Sequence, residues 1–246
     1  MPPIKLVVLD MAGTTMQDLH EVELCFKEAA KLNNLNTSDE RILSLQGYAK
    51  LEVFRMLWQE QSGNEDPKII ESKAQKSYQD FKNILEFYYR EHPVFKTEGC
   101  LELFDYLHQN NIYIALTTGF YRKVTNILLK KLGWLENLNQ HYMNISNKTG
   151  IHISVTPDET TFGRPNPAMI QYAMKMLGVK NPLEVVNIGD TPVDLQFGKN
   201  AGVRLALAVS NGTHSYDELK DYPNDGILPN LKALIPILEN LKNEKI

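Results

Sequence analysis

The sequence predicts an α/β protein: a Rossmann-like parallel sheet covered by helices, with an α-helical segment inserted behind its first strand. Three observations lead there. Short apolar runs at Ile4 to Leu9, Ile112 to Leu116, Val185 to Ile188 and Leu205 to Val209 have the length and boundaries of buried strands. Amphipathic stretches of helical length separate the later runs, which is the alternation of a parallel sheet with helical crossovers. The stretch between the first two runs is too long for one crossover and carries only helical spacing, so a separate helical unit is expected there.

Composition frames these elements. A chain of 246 residues with 43% apolar content buries a sizeable core. Its 26 Lys and Arg against 30 Asp and Glu leave a net charge of −4, and no basic block is interleaved with aromatics. Nucleic acid is therefore not an expected partner. No leader-like opening and no run of about 18 apolar residues is seen, so a cytoplasmic protein without a membrane partner is expected. Cys25 and Cys100 form neither a CxxC nor a metal spacing and are read as buried thiols without a role.

In chain order, the first strand closes on Asp10 in LVVLDMAGTT. There Gly13, Thr14 and Thr15 make a tight turn whose backbone N–H groups are expected to face an anion. Helices are expected at Val22–Leu32, Asp39–Leu45, Leu51–Gln61 and Lys68–Tyr89, from apolar spacings of three and four. Linkers at Met16–His20 and His92–Thr97 would join them to the rest, giving an α/β core of 1–16 and 97–246 and a helical cap of 17–96. The second strand runs into TTG, with Thr118 and Gly119 at its tip. In GRP, Arg164 precedes Pro165, a residue suited to the first turn of a helix. The segment VVNIGDTPVD then places Asp190 and Asp194 four residues apart where a strand turns into a helix.

Ligands of parallel α/β sheets bind beyond the carboxyl ends of the strands, so these residues belong together. Asp10 and Asp190, with a backbone carbonyl and water, suit an oxygen-only octahedral Mg²⁺ site. Arg164 and Thr118 suit phosphoryl oxygens, the arginine as a permanently charged donor. Each piece alone has a plainer reading. LDMAGTT is equally a simple turn, Asp190 and Asp194 a helix N-cap and a first-turn carboxylate, and Arg164 a surface ion-pair partner. The ordered set at four strand ends outweighs them.

The motifs DMAGTT, TTG, GRPNP and GDTPVD, in that order and spanning essentially the whole chain, resemble the haloacid-dehalogenase (HAD) superfamily. The resemblance implies an HAD core with a helical cap and Asp10 as a covalent nucleophile that forms an aspartyl-phosphate. It implies Mg²⁺ held by Asp10, Asp190 and the carbonyl of Ala12, with Asp194 supporting the metal site. Thr118, Gly119 and Arg164 would bind the phosphoryl group.

Phosphatases of this superfamily carry a second aspartate where this chain has Ala12, and that aspartate protonates the leaving alcohol. The DxAGTT form instead resembles the phosphonatase branch, the phosphonoacetaldehyde hydrolases, which cleave a carbon–phosphorus bond. Within LQGYAKLEVF the GxxK spacing is similar to that branch, implying Gly47 in a substrate loop and Lys50 as a Schiff-base lysine. On its own Lys50 reads as a solvated surface residue. Three positions depart from the branch: Val53 replaces a histidine, Phe120 replaces an aromatic hydroxyl although Tyr121 follows, and His20 replaces a cysteine. His20 is read as a polar linker residue or a proton-transfer group.

The expected activity is Mg²⁺-dependent cleavage of phosphonoacetaldehyde or a related phosphonate through a lysine Schiff base. The alternative is a phosphatase acting on a small phosphate monoester, and the reading from another class is a catalytically silent phosphate-binding module. The oligomeric state, monomer or homodimer, is left open.

Overall fold

A computed structural model describes residues 2–45, 48–144 and 150–243, so Gly47 lies outside the described residues. The chain opens with strand β1 (Leu6–Asp10) and continues through helices α1 (Glu21–Leu32), α2 (Asp39–Ser44), α3 (Lys50–Ser62), α4 (Pro67–Glu91) and α5 (Cys100–Gln109). Strand β2 (Tyr113–Thr117), helix α6 (Arg122–Leu132), strand β3 (Ile153–Val155) and helix α7 (Ala168–Met176) follow. The remainder is β4 (Val185–Gly189), α8 (Pro192–Ala201), β5 (Leu205–Val209), α9 (Tyr216–Leu219), β6 (Ile227–Leu228) and α10 (Leu234–Asn243).

All six strands run parallel in the order β3-β2-β1-β4-β5-β6. The four expected strands and the four expected inserted helices are present, with ends shifted by a residue or two. β3 and β6 were not foreseen, because three and two residues are too short to carry a periodic signal. Alternate residues of β1 serve opposite faces. Val7 and Leu9 pack with Leu103, Leu107, Val124 and Leu128 of α5 and α6, whereas Leu6 and Val8 pack with Met169, Ile170 and Phe197 of α7 and α8. Both faces are therefore dry, which is why β1 reads as one unbroken apolar run.

The chain leaves β1 towards β2 and β3, then returns to the other side of β1 to form β4. The strand order thus reverses at β1 and β4, and crossovers leave in opposite directions there, opening a crevice at their carboxyl ends. Register places Asp10 beside Thr117 and Leu9 beside Ile188, so Asp10 stands next to the β4 tip that leads to Asp190.

Helices α1 to α4 form the unit inserted after β1. Phe26, Phe54 and Phe81, from α1, α3 and α4, pack at its centre, with Phe26 and Phe54 stacked at 4.2 Å. Truncating such a buried ring costs about 3–5 kcal/mol. Pro67 begins α4 and the Asp66 carboxylate accepts from the Lys68 N–H at 2.8 Å, while Gly63 ends α3 with a positive φ. The two linkers run side by side: Met16 bridges Lys96, and the Gln17 N–H donates to the Phe95 carbonyl at 2.9 Å. Pro165 does not start a helix; α7 begins at Ala168, beyond a turn that follows the cis Arg164–Pro165 peptide. Cys25 and Cys100 are buried free thiols. Among the described residues no helix is long and apolar enough to cross a membrane.

Candidate active site

Three carboxylates, those of Asp10, Asp190 and Asp194, converge beyond the β1 and β4 tips with ligand atoms within 4.8 Å of one another, and all three are buried. β1 delivers Asp10 as its last residue, and Asp190 follows the final residue of β4. Asp194 is the third residue of α8, where it accepts from the Thr191 N–H at 3.1 Å and from the Thr191 hydroxyl at 2.7 Å. Its plainer reading as a first-turn carboxylate is thus part of its role, although the cap itself is Thr191 rather than Asp190.

Arg164 crosses the cluster. Its Nη1 donates to Asp10 Oδ1 at 2.5 Å and to Asp194 Oδ1 at 2.6 Å, and its Nη2 donates to the Thr117 hydroxyl at 2.5 Å. Asp190 is held separately by the Thr14 hydroxyl at 3.0 Å and the Thr213 N–H at 2.7 Å. Backbone packs hard against it: a Cβ on Gly13 would lie 2.0 Å from Asp190 Oδ2, and Gly13 has a φ of +82 that favours glycine.

Three carboxylates meet one guanidinium in a buried space, so acidic groups outnumber the cation that crosses them. Burial pushes the Asp10 carboxyl up to about 7, with Arg164 pulling it back and Asp194 adding to the rise. Burial likewise raises Asp190, reinforced by repulsion from Asp10 and Asp194. The converging donors are all carboxylate oxygens, whose mutual repulsion a cation would relieve, so the residues fit a hard metal ion.

The turn after Asp10 corrects one expectation. Its N–H groups are consumed internally, Gly13 donating to the Met16 carbonyl at 2.8 Å and Thr14 and Thr15 to the Met11 carbonyl at 3.2 and 2.9 Å. A turn tight enough to clear Asp190 closes on its own backbone, so these groups do not serve an anion.

Asp10, Ala12, Thr118, Gly119, Arg164 and Lys50 line one cavity of about 30 Å³, together with Asp18, Val22, Phe120 and Thr213. Thr118 is buried and accepts from the Phe120 N–H at 3.1 Å. Lys50 arrives from the helical insertion as the first residue of α3 and is only 7% exposed. Burial draws its amine down to about 8, opposed by the charges of Asp18 and Asp10 and aided by Arg164. The start of a helix is also an unfavourable place for an ammonium. Val53 is buried one turn further along α3.

Other expected residues stand apart. His20 is exposed and pairs with Glu23 at 3.6 Å, which makes it a linker residue outside the cavity. The Tyr121 hydroxyl donates to Glu86 at 2.9 Å and to the Lys82 carbonyl at 3.2 Å, away from Asp10. Sequence reasoning used Thr14 only for its backbone N–H and missed its hydroxyl, and it passed over Asp18, Thr117 and Thr213. Asp18 accepts from the Thr213 hydroxyl at 3.1 Å, joining the first linker to the loop after β5. That loop carries the polar run SNGTH, a fifth strand-end tip whose signal was present in the sequence.

A family model described as haloacid dehalogenase-like hydrolase matches residues 4–202. The chain is 28% identical over 215 residues to a phosphonoacetaldehyde hydrolase of Latilactobacillus sakei, covering 82% of this chain and 74% of that protein. It is 26% identical over 237 residues to the pyrophosphatase PpaX of Oceanobacillus iheyensis, covering 96% and 97%. A solved phosphonoacetaldehyde hydrolase-like protein from Oleispira antarctica superposes with a TM-score of 0.76 at 15% identity, over 99% of this chain and 94% of that one.

Proposed function

We propose that this chain, which belongs to the haloacid dehalogenase-like hydrolase family, attacks phosphorus with Asp10 and works on a carbonyl-bearing phosphonate through Lys50. One observation carries the second half of that reading: the Lys50 amine and the Asp10 carboxylate line the same small cavity, and Ala12 leaves position 12 without an acid. The curated phosphonoacetaldehyde hydrolase relative supports the same branch.

Residues 1–16 and 97–246 would act as the core and 17–96 as a cap that closes over substrate. Asp10, Asp190 and the Ala12 carbonyl would hold Mg²⁺, with Asp194 fixing the surroundings through Thr191 and Arg164. When bound, the ion neutralises the repulsion between the acidic cluster and an anionic phosphoryl group and polarises that group.

The steps on the protein's own residues follow. An imine requires a neutral amine. An amine with a pKa of about 8 is roughly one-tenth neutral at pH 7, against about one part in 2,500 at the reference value of about 10.4. Lys50 condenses with the substrate carbonyl, releasing water and leaving a protonated imine. Asp10 attacks phosphorus as the carbon–phosphorus bond breaks, and its electron pair is taken up by the iminium to give an enamine. Arg164 holds Asp10 in place for that attack, and Thr118 and Gly119 line the phosphoryl position. Water then hydrolyses the aspartyl-phosphate, and hydrolysis of the enamine–imine frees Lys50.

A second reading, hydrolysis of a small phosphate monoester, is favoured by Asp18. Its carboxyl is the one acid besides Asp10 among the residues that line the cavity, where position 12 supplies none. Borohydride separates the two. Added during incubation with phosphonoacetaldehyde, it should inactivate the enzyme and leave a stable mass adduct on the Lys50 peptide. A protein that turns over phosphate esters and yields no adduct would establish the phosphatase reading instead.

A further inference from the structure

Imine formation moves protons as well as carbon and nitrogen. The amine must lose a proton before it adds to a carbonyl, and the carbonyl oxygen must gain protons before it leaves as water, so a group that takes and returns a proton belongs beside the amine. The cavity that Lys50 lines, about 30 Å³, has room for about two waters. Few of its lining groups can carry a proton. Asp10 is the nucleophile and is bound by Arg164, whose guanidinium stays charged. The hydroxyls of Thr118 and Thr213 do not titrate in the accessible pH range. Among the described residues no histidine lines the cavity: His20 is exposed and paired with Glu23, and the residue one turn along α3 from Lys50 is Val53. The Tyr121 hydroxyl is turned to Glu86. Asp18 remains.

Asp18 stands in the first linker, between β1 and α1, and is held at both carboxylate oxygens. Oδ1 accepts the His20 N–H at 2.8 Å and Oδ2 accepts the Thr213 hydroxyl at 3.1 Å, so the linker and the loop after β5 fix the group from two sides. Each oxygen keeps a second acceptor site for a proton on the cavity side. The charges that act on Lys50 are those of Asp18, Asp10, Asp194 and Arg164, and that of Asp18 opposes the downward pull of burial most strongly, ahead of Asp10. Across a cavity of this size, Asp18 is therefore the acceptor best coupled to the Lys50 proton. Lys50 is placed by the insertion and Asp18 by the linker and the β5 loop, so the pair is complete only when the insertion lies over the core.

Resting on the Schiff-base reading above, we propose that Asp18 is the proton carrier for Lys50, a role distinct from the acid it would be in phosphate-ester hydrolysis. The Asp18 carboxylate takes a proton from the Lys50 ammonium. The neutral amine adds to the carbonyl carbon, the C=O π pair moves to oxygen, and a proton passes from the new ammonium nitrogen to that oxygen, giving a neutral carbinolamine. Asp18 then returns its proton to the hydroxyl; the C–O bond breaks as the nitrogen lone pair forms the C=N bond, and water leaves. Asp18 is again a carboxylate, Lys50 has become a protonated imine, and the positive charge of the ammonium is retained. The reverse sequence, with Asp18 drawing a proton from water, hydrolyses the imine that remains after carbon–phosphorus cleavage.

Imine trapping tests this role apart from attack on phosphorus. In the Asp10→Asn protein the carbon–phosphorus bond should stay intact, so the rate at which phosphonoacetaldehyde and cyanoborohydride convert the Lys50 peptide to its reduced adduct reports imine formation alone. That rate would be followed by mass spectrometry at pH 7, with both reagents raised until it no longer increases. Adding Asp18→Asn keeps an acceptor oxygen at a half-buried position, so the fold should survive, and the adduct should form about 10²-fold more slowly. Methylphosphonate affinity, measured calorimetrically with Mg²⁺ present, should be unchanged, because the phosphoryl site is untouched. An adduct that forms equally fast with and without Asp18→Asn would overturn the role of Asp18 and leave the Lys50 imine standing. Parallel losses of trapping and of methylphosphonate affinity would also overturn it, making Asp18 a linker residue that merely holds the site together. Absence of any adduct from both Asp10→Asn and the unaltered protein, with methylphosphonate still bound, would remove the Schiff-base reading and this role with it.

Discussion

Asp190 and Lys50 reach the same region from opposite kinds of support. Asp190 follows a central strand, is gripped by Thr14 and the Thr213 N–H, and has glycine backbone packed against its carboxylate. Lys50 begins a helix of the insertion, and its position depends on how α1, α3 and α4 pack around Phe26, Phe54 and Phe81. The first arrangement is a preorganised charge cluster on the rigid sheet. The second is one buried amine brought in by the inserted helices. The difference teaches that the acidic cluster is fixed by the sheet itself, whereas the buried amine depends on how the insertion packs; on the function proposed above, the first serves phosphoryl chemistry and the second the choice of bond.

The largest effect should come from the core. Asp10→Asn keeps the volume and removes the anionic nucleophile, so steady-state turnover of every substrate should fall on the order of 10⁴-fold with the circular dichroism spectrum unchanged. Retained turnover would mean that Asp10 is no nucleophile and that both regions had been misread.

Lys50→Arg should sharpen the contrast. The positive charge survives but imine chemistry does not, so carbon–phosphorus cleavage should drop to background while any phosphate-ester hydrolysis persists. Equal loss of both activities would make Lys50 a general electrostatic residue rather than a selector of the reaction.

A smaller change is expected at Ala12, the one place where the core itself bears on bond type. Ala12→Asp supplies a general acid, a contribution of about 10²-fold at the low end, and the ratio of ester hydrolysis to carbon–phosphorus cleavage should rise. An unchanged ratio in the folded variant would leave the choice of bond entirely to the insertion.

The smallest effect concerns stability without metal. The folded Asp10 carboxyl, at about 7, lies above its ordinary value of 3.8, so between about pH 4 and pH 7 the folded state binds more protons than the unfolded one. Its contribution to stability therefore falls as pH rises. In EDTA, Asp10→Asn should gain on wild type across that window and exceed it at pH 8 by a few degrees in Tm, about 2–4 °C for each kcal/mol. Mg²⁺ should reverse the order by stabilising wild type, by about 2.7 kcal/mol at a hundredfold excess over Kd. A wild-type protein that stays ahead of the variant in EDTA at pH 8 would show that Arg164 already balances the cluster.

From the sequence alone, the parallel α/β architecture, the helical insertion and the strand ends carrying Asp10, Thr118, Arg164, Asp190 and Asp194 were all legible. Each of these signals is local: apolar runs with a polar residue at the tip, or spacings of three and four. β3 and β6 escaped because two- and three-residue strands exist only by pairing with a neighbour already in place. Only the tertiary structure decided that the N–H groups of the 13–15 turn are spent internally, that Arg164 binds both Asp10 and Asp194, and that Asp18 and Thr213 join the cavity. It also decided that Lys50 is buried beside Asp10 rather than solvated. These relations link residues far apart in the chain, and burial, charge proximity and competing hydrogen bonds exist only once the strands and helices have packed together.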